Sequence, residues 1–141
     1  MTATNPSQTA RAIFHDVFTA KTADGAGVAL KVDQFDTLDM QIATSGNTQA
    51  TIKCQGSKSN SEPTWANAHT SANRWSYKYI VNEDSGGLIQ GSTGVTLAGT
   101  DIINEYHINT DRIRWINFII SGFVAGSINV TVIGSKRYKN F

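Results

Sequence analysis

The sequence has little cysteine, little net charge and no long apolar run. Among its 141 residues Cys54 is the one cysteine, so an intramolecular disulfide is excluded and manufacture in a reducing cytosol is expected. Twelve basic and 11 acidic residues give a net charge of +1, which argues against a nucleic-acid partner. Residues 1–10 lack the apolar core of a signal peptide. No stretch has the length of a membrane span, so we predict no membrane contact.

The residue patterns of catalytic and metal sites are also missing. The three histidines, His15, His69 and His107, occur in none of the spacings that zinc ligands use. There is no Gly-x-Ser-x-Gly elbow for a nucleophilic serine and no glycine loop followed by lysine for a phosphate. Cys54 shares a face with Ala50 and Ile52, as a small buried residue would. We therefore predict no enzyme activity, no metal and no cofactor.

What the sequence does have is a pair of matching strand–turn–strand units, at 35–57 and 111–135. Each unit contains an alternating strand, a turn that begins with Ser-Gly, a second alternating strand and a closing Gly-Ser. Alternation with a period of two places apolar side chains on one face of a sheet and polar side chains on the other. The units predict two hairpins that contribute to a sandwich of two sheets.

The rest of the chain extends this pattern to about eight short strands separated by Gly, Asn and Ser turns. No amphipathic helix is evident. We predict an all-β, two-layer, jelly-roll-like sandwich over 12–135, with an extended N-terminal arm at 1–11 and a C-terminal tail at 136–141. In-phase alternation predicts a core that contains Leu38, Met40, Ile42, Ile52, Ile113, Ile128, Val130 and Val132.

The strand that opens the second unit is apolar on both faces. Ile113 and Trp115 share one face, whereas Phe118 and Ile120 lie on the other. Either a β-bulge shifts the register near Trp115, or both faces are covered. The second apolar face makes Phe118 a candidate interface residue.

Two aromatic segments each leave two interpretations open. Trp65 lies in a long polar loop, 57–73, and either caps the end of the core or anchors a partner. Trp75, Tyr77 and Tyr79 share one face of the strand 74–81. They either face the core or form an exposed row on which a sugar could stack.

The stretches Phe-Asp-Thr-Leu-x-Met-Gln-Ile at 35–42 and Ala-Thr-Ile-Lys-Cys-Gln-Gly-Ser at 50–57, with Trp65 after them, resemble a pattern in small structural proteins of tailed bacteriophages. The segment 112–134, with its Arg-x-Arg start, is similar to their closing hairpin. The resemblance covers 28–65 and 106–135; residues 66–105 match nothing. It implies a virion protein made in the host cytoplasm, most simply a capsid decoration (cement) protein that binds the major capsid protein or another virion protein as a homotrimer.

This resemblance directs attention to residues that could contact a partner. The basic tail would steer toward an acidic surface, and its aromatic residues would supply apolar anchors. The alternative for the tail is that it packs on its own sandwich as a last strand. The alternative function is a carbohydrate-binding or fibre/tail module for host-surface recognition. The candidate interface residues are Trp65, Arg112, Arg114, Phe118, Lys136, Arg137, Tyr138 and Phe141.

Overall fold

The computed structural model describes residues 10–137, and it describes side chains over 13–135. This part of the chain contains twelve strands and no helix, hence none that could cross a membrane. Seven strands have six or more residues and five have two or three, compared with the eight or so that the sequence predicts. The strands are β1 (Ala10–Lys21), β2 (Gly25–Ala26), β3 (Leu30–Lys31), β4 (Thr37–Ser45), β5 (Asn47–Ser57), β6 (Ser76–Tyr77), β7 (Ile80–Asn82), β8 (Leu88–Ile89), β9 (Val95–Thr100), β10 (Ile103–Asn109), β11 (Trp115–Val124) and β12 (Ser127–Arg137).

The strands form two antiparallel sheets packed face to face, which confirms the predicted β-sandwich. Sheet A has the order β1-β12-β4-β10-β7-β8. Sheet B has the order β2-β11-β5-β6, and in addition β3 pairs with β11 and β9 pairs with β5. From β9 to β12 the chain changes sheet at every connection, so neighbouring strands are mostly distant in sequence. Such crossing lets both sheets share one core.

The two matched units form arches between the sheets, so their prediction as hairpins was wrong. In the first unit β4 belongs to sheet A and β5 to sheet B. In the second unit β11 belongs to sheet B and β12 to sheet A. Alternation fixes which face of a strand is buried, but it is the same whether the next strand lies beside it or across the core.

The two arches pair with each other in both sheets. In sheet A, β12 pairs with β4 over nine positions, from Ser127 opposite Ser45 to Ser135 opposite Thr37. In sheet B, β11 pairs with β5, with Phe118 opposite Cys54. The first strand of each unit therefore pairs with the second strand of the other unit. The two units, which are similar in sequence, thus have equivalent pairing partners in the fold.

The crossing point of each arch lies at a glycine with positive φ. The first arch crosses at Gly46, with a φ of 82°, as its Ser-Gly predicts. The second crosses at Gly126, with a φ of 73°, and not at the predicted Gly122, which lies in an irregular stretch of β11. A Cβ on Gly126 would clash with Thr48 and with the carbonyl oxygen of Ser45, so the two crossings pack together.

The core lies between the sheets and contains all eight residues predicted for it. Ile116, Phe118 and Ile120 also point into it and are at most 1% exposed, which removes Phe118 from the candidate interface residues. The pairing of β11 is unbroken from Trp115 to Ser121, so no bulge occurs near Trp115. Both faces of this segment are covered instead.

The ends of the described chain lie beside each other in sheet A. β1 begins at Ala10, which pairs with Arg137 at the end of β12. Lys136 and Arg137 therefore continue the last strand, two residues beyond the predicted domain end. The rest of the predicted arm and tail, 1–9 and 138–141, lies outside the described residues.

Candidate binding surfaces

A long loop covers the outer face of sheet B. This covering loop, residues 58–75, connects β5 to β6 and lies over two paired amides, Gln55 and Asn117. Both are 1% exposed although they point away from the core. Asn117 Nδ2 donates to Gln55 Oε1 at 2.9 Å, and Gln55 Nε2 donates to the carbonyl oxygen of Trp65 at 3.1 Å. The amides satisfy each other and attach the loop to the sheet.

The covering loop is held in shape by Asn73. Its Nδ2 donates to the carbonyl oxygens of Thr64, at 3.0 Å, and Ala68, at 3.1 Å. Its Oδ1 accepts a hydrogen bond from the Thr64 amide at 2.7 Å. The hydrogen bonds of this one side chain thus hold the loop backbone, as hydrogen bonds between strands hold a sheet. This explains how a polar segment of this length is ordered.

Trp65 lies over the outer face of sheet B, at the buried amides. Its ring is half-buried, and Nε1 donates to Glu62 Oε2 at 3.3 Å. The structure thus places this candidate beside the sheet, whereas the sequence suggested the end of the core or an exposed anchor.

Tyr77 and Tyr79 point to solvent, so they do not form the inward face of a strand. Tyr77 is 36% exposed and Tyr79 is 56% exposed, whereas the adjacent Ile80 is fully buried. The cause is the pairing of Tyr77 with Gln55, because paired residues project from the same face of a sheet and Gln55 points outward. The predicted single strand 74–81 was wrong, because this segment contributes β6 to sheet B and β7 to sheet A. Trp75 and Tyr77 do lie side by side, as their alternation predicted.

Trp75 is the centre of an aromatic cluster on this surface. Its ring makes edge-to-face contacts with His69, at 5.4 Å between centroids, and with Tyr77, at 5.1 Å. Its Nε1 donates to the carbonyl oxygen of Asn67 at 2.9 Å. Lys53 Nζ lies 5.2 Å from the Tyr77 centroid. These contacts fix the indole in one orientation at the surface.

Trp115, the last of the three tryptophans in the sequence, contacts the same covering loop. It lies on the outer face of β11, half-buried, and its Nε1 donates to the carbonyl oxygen of Asn60 at 3.4 Å. Lys31 Nζ lies 6.0 Å from its ring centroid. Trp65 and Trp75 belong to the covering loop and Trp115 contacts it from β11, so only the pairing of β5 with β6 and β11 reveals that all three lie on this side of sheet B.

The arginine candidates lie at the turn before β11. Arg112 has a φ of 64°, and both Arg112 and Arg114 are exposed. The backbone of Arg114 joins two segments, since its amide donates to Ser57 O and its carbonyl accepts from Val32 N, both at 2.8 Å. Of the tail candidates, Lys136 and Arg137 lie in β12, and Tyr138 and Phe141 lie outside the described residues.

The outer face of sheet A carries the acidic side chains. Asp39 lies opposite His107, with Asp39 Oδ1 3.1 Å from His107 Nδ1, and Glu83 approaches both. One ligand atom from each of these three lies within 4.8 Å of the others, the type of set that can hold a cation. Partial desolvation, then the carboxylates of Asp39 and Glu105, raise the pKa of Glu83.

Cys54 points into the core between the sheets. Burial raises the pKa of its thiol to about 12, although Lys78 opposes this rise. The thiol therefore stays protonated at neutral pH and is no nucleophile there.

The chain is thus a β-sandwich with an open outer face on sheet A and a covering loop over the outer face of sheet B. Two solved structures are similar to it. The SPBc2 prophage-derived protein YomS aligns over 91% of this chain and 96% of that one, with a TM-score of 0.66 and 14% identity. The PBSX exported protein XepA aligns over 96% of this chain, with a TM-score of 0.67 and 12% identity. This chain spans 45% of XepA. At these identities the likeness shows the fold.

Comparison with protein-family models gives no match, and comparison with curated proteins gives none either.

Proposed function

We propose that the chain is a non-enzymatic bacteriophage structural protein, and that it decorates the head by binding the major capsid protein. The two similar structures, both of prophage proteins, support a phage origin. The observation that carries the proposal is an apolar rim on sheet A. Phe14 on β1 is 68% exposed and Leu88 on β8 is 64% exposed, at opposite edges of the same sheet. At each edge the exposed side chain has an apolar neighbour, Ile133 beside Phe14 and Val81 beside Leu88, and adjoining apolar side chains at a surface mark contacts with other proteins.

These rim residues belong to one row across the sheet. Phe14 pairs with Ile133, Ile133 with Asp39, Asp39 with His107, and the row continues through Val81 to Leu88. The row is apolar at both ends and polar in the middle. A flat partner surface would meet apolar contacts at the edges and hydrogen-bonding groups at the centre, which suits attachment to a capsid.

We propose further that the chain forms a closed homotrimer through the edge strand β1. Among the described residues β1 pairs with β12 alone, so one side of this twelve-residue strand has free backbone groups. Long free edges are normally covered, and a closed ring covers every one of them. Phe118 and Ile120 no longer support an oligomer, since both are buried within the chain. Phe14 and the half-buried Ile133 take their place.

Native mass spectrometry and sedimentation with heads of the encoding phage test the proposal. The wild type is expected as a trimer that sediments with heads lacking it. Phe14→Glu should weaken both the trimer and head binding, and Leu88→Glu should weaken head binding alone, whereas Thr96→Glu on sheet B should change neither. A monomeric wild type that fails to bind heads would refute the decoration function.

A second function is favoured by a specific observation, the exposure of Tyr77 and Tyr79. The alternative of a carbohydrate-binding or fibre/tail module required these rings at the surface, near polar side chains. Tyr77 lies beside Trp75 and Lys53. Flat exposed rings of this kind bind the apolar faces of sugars. A screen of host-surface polysaccharides tests it, with Tyr77→Ala expected to lose binding and Tyr106→Phe, in the core, expected to retain it.

A further inference from the structure

A pocket lies beside the aromatic cluster of Trp75. It opens where β5 ends, between the start and the end of the covering loop, and it has a volume of about 370 Å³. Ligand sites in proteins commonly have volumes from this size upward. Its lining residues are Gly56, Ser57, Lys58, Ser59, Arg74, Trp75, Ser76, Lys78 and Ile113.

The charge of this pocket is entirely positive. Three lining residues are cationic, Lys58, Arg74 and Lys78, and none is acidic. Over the residues with described side chains, the only ion pair joins His107 to Asp39 in sheet A, so no carboxylate neutralises the three cations. The closest acidic residue along the loop, Glu62, lines a neighbouring cavity and accepts from Trp65. Unneutralised cations around a concave surface attract an anion.

The walls of the pocket are fixed by hydrogen bonds. Ser57 Oγ donates to the carbonyl oxygen of Arg74 at 2.6 Å, and the Lys78 amide donates to Cys54 O at 2.8 Å. Arg74 Nε donates to Ser71 O at 3.1 Å, which orients the guanidinium group. A Cβ on Gly56 would lie 2.8 Å from the Lys78 stem, so the glycine makes room for this lysine. A preorganised site loses little entropy when it binds.

An aromatic wall and a second cavity extend the site. Trp75 lines the pocket and is held by His69 and Tyr77. A polar cavity of about 360 Å³ adjoins it and shares Ser59 and Arg74 with it. We call the two adjoining cavities the groove. Arg74 lies at their junction, and Glu62 lines the second cavity, so the acid group of a ligand would be bound in the first one.

We propose that this groove binds an acidic polysaccharide, with the acid group at Lys58, Arg74 and Lys78 and the sugar ring on Trp75. The three cations select a carboxylate or phosphate, because charge-assisted hydrogen bonds are the strong ones. The aromatic wall selects a sugar over a simple anion. The inference rests on the second function proposed above, the carbohydrate-binding one, and specifies the ligand class and the residues that bind it.

Titration calorimetry with four probes tests the ligand class. The probes are hexagalacturonate for a carboxylate sugar, glucose 6-phosphate for a phosphate sugar, neutral maltohexaose, and inorganic phosphate. Binding of either acidic sugar, weakened by added salt and absent for inorganic phosphate, supports the proposal, and the two sugars distinguish the acid groups. Maltohexaose bound as tightly as hexagalacturonate would overturn the inference but leave a carbohydrate function. Binding of no sugar would overturn both.

Paired variants locate the site. The double variant Lys58→Gln/Arg74→Gln should lower affinity for the acidic sugar at least about tenfold. The control Lys21→Gln/Lys136→Gln removes the same charge from strands β1 and β12 of sheet A and should change affinity less than about twofold. Equal losses in both doubles would show non-specific attraction and overturn the site. Trp75→Phe should retain most binding and Trp75→Ala should lose it, with melting temperatures confirming the fold. A single-stranded DNA oligonucleotide that binds as tightly as hexagalacturonate would also overturn the assignment.

Discussion

The outer faces of the two sheets differ in charge and in cover. The face of sheet A is open and carries acidic side chains, among them Asp16, Asp39 and Glu105. The face of sheet B carries Lys31 and Lys53 and lies under a loop lined with further cations. The net charge of +1 is a sum over the whole chain, so it does not reveal that the charges of these two surfaces differ. Whole-chain charge therefore excludes a uniformly basic protein but does not exclude a local anion site.

The largest effect is expected at Cys54. This residue points into the core, whereas its neighbours Lys53 and Gln55 point to the outer face of sheet B. With a pKa of about 12, its thiolate should be about a thousandfold rarer at pH 8 than in the unfolded chain, because each pKa unit is a factor of ten. A thiol reagent followed by mass spectrometry should label it slowly in native protein and rapidly in denaturant. Equal labelling rates in native protein and in denaturant would contradict the burial of Cys54 on the core face of β5.

The core between the two faces should carry most of the stability. Ile52→Ala is expected to cost about 2–4 kcal/mol of unfolding free energy, since a fully buried side chain leaves a cavity. Its control is Ile119→Ala, on the outer face of the neighbouring strand and half-buried, with an expected cost of about 1 kcal/mol or less. Urea denaturation measures both. Similar costs would contradict the inward orientation of Ile52.

Each outer face has a hydrogen bond donated by a side-chain amide, but only the one on sheet B is buried. Asn117→Ala should cost about 1–3 kcal/mol, because Gln55 Oε1 would remain buried without its donor. It should also hasten tryptic cleavage at Lys58 and Arg74 in the covering loop. Gln41→Ala breaks the exposed Gln41–Glu105 contact at 3.3 Å and should change neither quantity. An unchanged rate of cleavage in the Asn117 variant would contradict the attachment of the covering loop by these amides.

The smallest effect is expected on the acidic face. The raised pKa of Glu83 means that the folded state binds its proton more tightly than the unfolded state. Stability from this group is therefore full below the unfolded pKa and is lost as the pH rises through the folded one. Glu83→Gln should remove this loss and give a slightly higher melting temperature at pH 7, but not at pH 3. A lower melting temperature at pH 7 would contradict the repulsion from Asp39 and Glu105.

The covering loop shows where sequence reasoning reached its limit. Its length and Trp65 mark it as a segment with a role, but its contacts depend on Gln55 and Asn117, polar residues on outward positions of distant strands. Nothing in their alternation distinguishes them from solvated amides. The signal that could have found the site is the position of the three cations at the two ends of the loop, Lys58 at its start and Arg74 and Lys78 around its end.

The sequence by itself determined the all-β sandwich and its core, because side-chain alternation is a local property with a period of two residues. It also determined that the chain turns at Gly46, because glycine tolerates a positive φ. Only the tertiary structure decided that each matched unit spans both sheets, that Phe118 is buried, and that Tyr77 faces solvent. These outcomes depend on which strands pair, and pairing brings together residues far apart in the chain, such as Cys54 and Phe118, whose partnership no local pattern records.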